Sequence, residues 1–221
     1  MTQIDKIIRS KRKSIAIIID MDGKVIVRAP YKASTKQINN FINDKKDWIR
    51  SKKKKAEKLP RSRPKEFIFG EEFLFLGHPY LLEIVDEQTT PLILNERFLL
   101  SRSALPNPKD VFTKWYKKQA KKVITDRVSK FAQEFNFEFQ RIRITSAKTR
   151  WGSCGSKGSL NFTWRLVMAP QSVIDYVVVH ELVHIKVKNH SKEYWQQVEK
   201  IMPDYKLQKT WLNDNGQLLT I

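Results

Sequence analysis

Apolar and polar positions recur with two different periods along this chain, and the changes of period mark out its elements. Residues 15–20 and 24–29 are β-branched runs on either side of Met21-Asp22-Gly23, the pattern of a hairpin closed by an Asp-Gly turn. From Ser34 the period lengthens. Ile38, Phe41, Ile42, Trp48 and Ile49 fall at helical spacing and predict one helix to about Lys58, stopped by Pro60. Residues 61–65 read as a linker. Short strands are expected at 67–69, 73–76, 80–85, 92–94 and 98–100, with turns at Gly70, Gly77-His78-Pro79 and Asn95-Glu96, forming a small antiparallel sheet.

Pro106 and Pro108 then mark a boundary. A long helix follows from about residue 110 to 134, with Val111, Trp115, Ala120, Ile124, Val128, Phe131 and Phe135 as its buried stripe. Residues 137–145 and 159–168 read as strands joined by a Gly/Ser-rich loop at 151–158. The pattern describes an α+β chain in two parts. Residues 1–105 form a β-rich region with one helix, and 106–221 form a domain with a long helix, a short antiparallel sheet and a further helix carrying the chemistry described below.

Charge adds to this picture. The chain has 221 residues and a formal net charge of +19. Residues 1–70 hold 20 basic and 7 acidic side chains, so the excess is concentrated at the N-terminal end. A polyanionic partner such as nucleic acid is one reading; a solvated, solubilising surface is the other, since no DNA-reading motif accompanies the charge. No apolar run approaches the length of a membrane span, so no membrane association is expected. The N-terminal MTQIDKIIRSKRK lacks the apolar stretch of a secretory signal. Cys154 is the only cysteine, which excludes an intramolecular disulfide and suits a reducing cytoplasm.

The chemistry is concentrated after Pro170. His180-Glu181-Leu182-Val183-His184 is an H-E-x-x-H pattern, and His190 follows six residues later. Four residues is about one helical turn, so both imidazoles project from one face about 6 Å apart and can share a zinc ion. Glu181 lies about 100° round the helix, within reach of water at the ion, where it can serve as general base. A strand would also align the two histidines but would turn Glu181 to the opposite face. The helix is favoured by Pro170 at its start, by Ser172-x-x-Asp175 as a capping box, and by a run from 171 to 187 that is long for a strand. Being apolar on nearly every side, it is expected to be central and buried. His190 can join as third ligand only if the helix ends before it; Asn189, tolerant of left-handed φ, is the expected turning residue, with Ser191 capping the next helix. Three ligands leave a fourth position open, as in catalytic zinc sites.

The stretch TRWGSCGSKGSLNFTWRLVMAPQSVIDYVVVHELVHIKVKNHSKEYW, residues 149–195, strongly resembles the YgjP-like family of predicted zinc metallopeptidases, relatives of the SprT and WLM groups. The resemblance implies a zincin-like catalytic region, His180, His184 and His190 as zinc ligands, and Glu181 as the catalytic acid/base. Its TRWGSC-type loop falls on Thr149 to Cys154. Thr163 stands where the family more often has Asn, and the metzincin helix-ending Gly would fall at Val187. The SprT and WLM relatives act on DNA-attached proteins, which fits the basic N-terminal region.

Further expectations concern the surroundings. The strand at 159–168 is expected to offer a free edge to an extended peptide substrate. Asn161 and Trp164 are candidates to line the cleft, with Trp164 equally suited to the core. Arg150 is a candidate carboxylate or oxyanion clamp, or else an ion-pair partner of Asp175. Cys154 is either an inert buried thiol or a fourth ligand, and Glu199 is a candidate support for a ligand histidine. The function that follows is zinc-dependent peptide-bond hydrolysis. The alternatives are a nucleic-acid-binding module with a structural zinc site and no hydrolysis, and a zinc hydrolase of non-peptide amides.

Overall fold

The computed structural model describes residues 3–19, 23–58 and 63–221. Met21, Asp22, Pro60 and residues 61–62, to which the hairpin turn, the helix stop and part of the linker were assigned, lie outside them. The chain divides into two compact units, residues 1–61 and 62–221, so the boundary falls well before the expected residue 105.

In the first unit the expected hairpin is present as β2 (Ala16–Ile19) and β3 (Val25–Pro30), antiparallel with Ile17 opposite Val27. A further strand, β1 (Lys6–Ser10), pairs parallel to β3 on its other side. Its polar composition hid it. Backbone and side-chain bonds fix its place: Asp5 Oδ2 accepts from Val25 N at 2.7 Å, and Arg9 Nη1 donates to the Ala33 carbonyl at 2.7 Å. The single helix expected after Ser34 is two, α1 (Thr35–Asp44) and α2 (Lys46–Lys58), because Lys45 leaves helical geometry. Ser34 caps α1 reciprocally with Gln37. Val25, Val27 and Ala29 of the sheet bury against Ile38, Ile42 and Ile49 of the helices.

In the second unit, β4 (Glu72–Phe75), β5 (His78–Val85), β6 (Leu92–Leu94) and β7 (Phe98–Ser101) form a sheet of order β4-β5-β7-β6. It is mixed rather than antiparallel, since β5 and β7 run parallel with Leu82 beside Phe98. No strand forms at 67–69: Phe67 has φ 57° and turns inward to the core. The helix α3 (Pro108–Glu134) lays Phe112, Tyr116, Ala120, Ile124 and Val128, spaced four apart, fully into the interior; Val111 and Trp115 lie at the margin of that stripe. Phe112 stacks on Phe73 at 4.3 Å and Trp115 packs edge-on to Phe98 at 4.9 Å. This aromatic cluster joins the sheet to α3 in one core, which explains why the boundary is not at 105.

The second sheet consists of β8 (Arg141–Thr145), β9 (Gly152–Cys154) and β10 (Ser159–Thr163), ordered β8-β10-β9. β10 is therefore central, parallel to β8 and antiparallel to β9, and the free edge expected on 159–168 is not there. β9, read from sequence as loop, is an edge. Beyond Thr163 the strand gives way to a 3-10 turn at Trp164–Met168, which buries Trp164 in a stack on Tyr116 at 5.7 Å. Gly77 N donates to Met168 O, and a Cβ at Gly77 would stand 2.9 Å from Pro170 Cα, so the β4–β5 turn seats tightly against the start of the next helix.

That helix, α4 (Gln171–Lys186), is buried along almost its entire length and packs against α3, β9, α5 (Lys192–Ile201) and α6 (Tyr205–Asn215). The expected capping box does not form. Ser172 bonds Gln208, and the buried Asp175 carboxylate receives a two-pronged bond from Arg127 of α3, Nε at 2.5 Å and Nη2 at 2.8 Å. Arg150 is thus not the partner of Asp175. No helix among the described residues is long and apolar enough to cross a membrane.

Losing one member of a buried ion pair strands the other charge. Arg127→Ala should lower unfolding free energy by about 3 kcal/mol in urea titration. Asp175→Asn with Arg127→Met, which removes both charges, should recover much of that loss.

Candidate metal centre

His180 and His184 stand one turn apart on α4 with ring centroids 5.0 Å apart. The helix stops after Lys186 because Val187 is extended (φ −120°, ψ 107°). No left-handed residue is used, so the turn expected at Asn189 is made differently. Asn189 Oδ1 accepts from Ser191 N at 3.2 Å, and Ser191 caps α5 by accepting from Tyr194 N at 3.3 Å. This reversal carries His190 back over α4. Its Nε2 lies 3.1 Å from the Nε2 atoms of both His180 and His184.

Three imidazole nitrogens converging so closely suit a cation. Tetrahedral coordination at about 2.0–2.1 Å sets neighbouring nitrogens about 3.4 Å apart. His184 Nδ1 is 3.0 Å from the Val187 carbonyl, which can only accept; Nδ1 therefore carries the proton and Nε2 offers its lone pair to the centre. Burial, then the neighbouring His184, His190 and Lys209, pushes His180 down to about 3, and burial with His184 and Lys209 also lowers His190. Neutral rings are the form that ligates a metal. The residues present fit a divalent ion held by these three histidines.

Aromatic rings brace the cluster. Tyr194 lies 4.5 Å from His184 and 4.8 Å from His190, and its hydroxyl donates to the His180 carbonyl at 2.9 Å. Trp195 stacks on His190 at 5.7 Å and on Tyr205 at 5.3 Å, with Lys209 Nζ 4.0 Å above its ring. The sequence pattern does not single out Tyr194, Trp195, Tyr205 or Lys209 as part of the site. For Tyr194 and Trp195 the available signal was their place in the first turn after the Ser191 cap.

Glu181 is 4% exposed, and burial raises its carboxyl to about 8 against the opposing pull of Arg150. It lies against β9: a Cβ on Gly152 would fall 2.5 Å from Glu181 Oε1, so only glycine admits the carboxylate here. Glu181, His180, Arg150, Gly152 and Lys209 all line one pocket of about 270 Å³. A second pocket, of about 310 Å³, contains Arg150 and Asn161, whose Nδ2 donates to Ser153 Oγ at 3.3 Å. Trp164 is buried at 2% exposure and does not reach either pocket. Cys154 is half-buried, its thiol raised by burial, and it does not join the ligand cluster among the described residues. Glu199 is committed to Lys206 at 3.0 Å and does not support a ligand histidine.

Removing the one ligand outside α4 tests the cluster. After zinc loading and desalting, the parent chain should retain about one zinc by elemental analysis, and His190→Ala should retain almost none.

No curated protein sequence matches the chain. Among solved structures, it is similar to the metallopeptidase zymogen of Pyrococcus abyssi abylysin, at 22% identity over 39% of this chain and 89% of that one, with a TM-score of 0.37. It is also similar to the metallopeptidase zymogen of Methanocaldococcus jannaschii jannalysin, at 22% identity over 39% of this chain and 93% of that one, with a TM-score of 0.34. The model of the family described as "YgjP-like, metallopeptidase domain" matches residues 13–215, nearly the whole chain, which therefore belongs to the YgjP-like metallopeptidase family.

Proposed function

We propose that the chain is a zinc-dependent peptidase in which Glu181 is the general base. The observation that carries this reading is the convergence of three histidine Nε2 atoms, one of them from His180, which shares a pocket with the buried Glu181 carboxylate. Zinc held by His180, His184 and His190 would supply Lewis acidity toward a peptide carbonyl and make water more acidic. Glu181 takes a proton from water as the oxygen adds to the carbonyl carbon. It then delivers that proton to the amine nitrogen as the C–N bond breaks, leaving a carboxylic acid and an amine. A carboxyl raised by burial is a stronger base once ionised than an ordinary glutamate.

The substrate backbone lies along β9. Gly155 N and Thr163 N bond across to Ser159 O and Trp151 O, so residues 151, 153 and 155 face β10. Alternation then leaves the peptide groups of Gly152 and Cys154 at the free edge, next to Glu181. The competing reading, a binding module with a closed structural zinc site, needs a fourth protein ligand; among the described residues the cluster has three.

The N-terminal unit engages a polyanion, with nucleic acid the partner its charge suits best. Residues 1–61 hold 18 basic against 6 acidic side chains, and Tyr31 and Trp48 are exposed among them. A single cysteine and the absence of disulfides fit a cytoplasmic setting.

Cleavage of casein by zinc-loaded protein, with and without duplex DNA, tests the proposal. Glu181→Gln should lower kcat/KM by roughly 10³-fold with zinc retained. Gly152→Ala, which displaces the carboxylate without touching a ligand, should cost about 10²-fold. Zinc-replete parent protein that cleaves nothing, or a Glu181→Gln variant as active as the parent, would contradict it.

A further inference from the structure

Arg150 lines both pockets; Glu181, in the 270 Å³ pocket, acts on it through space but does not bond it. Among the described residues its guanidinium has no hydrogen bond and no ion pair. The 310 Å³ pocket around it contains no acid; its polar side chains are Thr145, Ser153, Asn161 and Thr163. Their hydrogen bonds show what remains on offer. Thr163 Oγ1 donates to the Ala147 carbonyl at 2.9 Å and Thr145 Oγ1 to the Phe162 carbonyl at 3.3 Å, so both protons are committed. Ser153 Oγ only accepts, from Asn161 Nδ2 at 3.3 Å, and keeps its own proton. The five N–H bonds of Arg150 and the Ser153 hydroxyl are therefore unspent donors, with Asn161 Oδ1 an unspent acceptor beside them, and the only charge lining this pocket is positive.

A planar fork of donors matches a carboxylate in two-pronged geometry, where paired charge and paired hydrogen bonds add. The pocket is also placed correctly. Gly152 sits between Arg150 and Ser153 in sequence, lines both pockets, and abuts Glu181. A side chain held at Arg150 thus belongs to a residue whose main chain runs beside the general base.

We propose that the Arg150 pocket is an acidic-residue subsite: it binds the carboxylate of an aspartate or glutamate side chain of the substrate, next to the bond that is cut. The proposal rests on the peptidase reading above. It makes the enzyme selective for acidic segments, with Arg150 as the specificity-determining residue and Ser153 as the second donor.

The test separates binding from hydrolysis. Fluorescently labelled peptides of identical composition, with one glutamate either near the centre or at the far end, bear the same net charge and so cancel general attraction to the basic chain. A third peptide carries glutamine at the centre. Binding is measured by anisotropy on the zinc-loaded Glu181→Gln protein, which does not turn over. The central-glutamate peptide should bind at least about tenfold more tightly than either other peptide. Adding Arg150→Gln should abolish the difference, and Arg150→Glu should favour a central lysine instead. Lys209→Gln, which removes the other cation of the neighbouring pocket, should leave the preference intact.

Equal binding of the three peptides, or a preference that survives Arg150→Gln or vanishes with Lys209→Gln, overturns the subsite. The parent enzyme is assayed on the same peptides. Selective binding without cleavage by the parent would overturn the peptidase reading and leave the subsite standing; cleavage without selectivity would do the reverse. Circular dichroism of the Arg150 variants guards against misfolding, which their exposed position does not favour.

Discussion

The site depends on burial of α4. A helix of valines, isoleucine and leucine is held between α3, β9, α5 and α6, and this fixes the directions of the few polar side chains it carries. Asp175 is tied to Arg127, the two histidines emerge where the helix meets α5, and Glu181 faces the glycine of β9. Exchanging apolar burial for rigid placement is economical, because a close-packed helix has one arrangement and a carboxylate displaced by an ångström loses its role.

The third histidine is positioned by a different device. Val187 leaves helical geometry, its carbonyl fixes the His184 tautomer, and Ser191 starts α5, so four residues after Lys186 are enough to bring His190 over its partners. One short connection ends a helix, sets a proton position and closes a ligand cluster. Tyr194 and Trp195, on the first turn of α5, then wall the imidazoles with aromatic surface. Burial there lowers the affinity of His180 and His190 for protons, which leaves those rings available to a metal.

Much of this was legible in the residues. The histidine spacing, the capping serine at 191, the long α3 and the β2–β3 hairpin follow from local pattern, and the structure brings them out in place. What failed depended on distant partners. β9 is three residues of Gly, Ser and Cys that become a strand only by pairing with β10, so the free edge was assigned to the wrong strand. The residues after Thr163 look extended in sequence, yet Trp164 turns in to stack on Tyr116 and forces a 3-10 turn. The β5–β7 parallel pairing and the early unit boundary both follow from an aromatic cluster between sheet and α3 that no local window contains. A left-handed asparagine does occur, at Asn136 after α3, not at Asn189.

X-ray absorption at the zinc edge of the loaded protein addresses the central claim most directly. Three imidazole nitrogens and one oxygen donor at about 2.0–2.1 Å, with no sulfur shell, is the result the structure predicts. A sulfur scatterer near 2.3 Å, which only Cys154 or a methionine could supply, or fewer than three imidazoles, would contradict it.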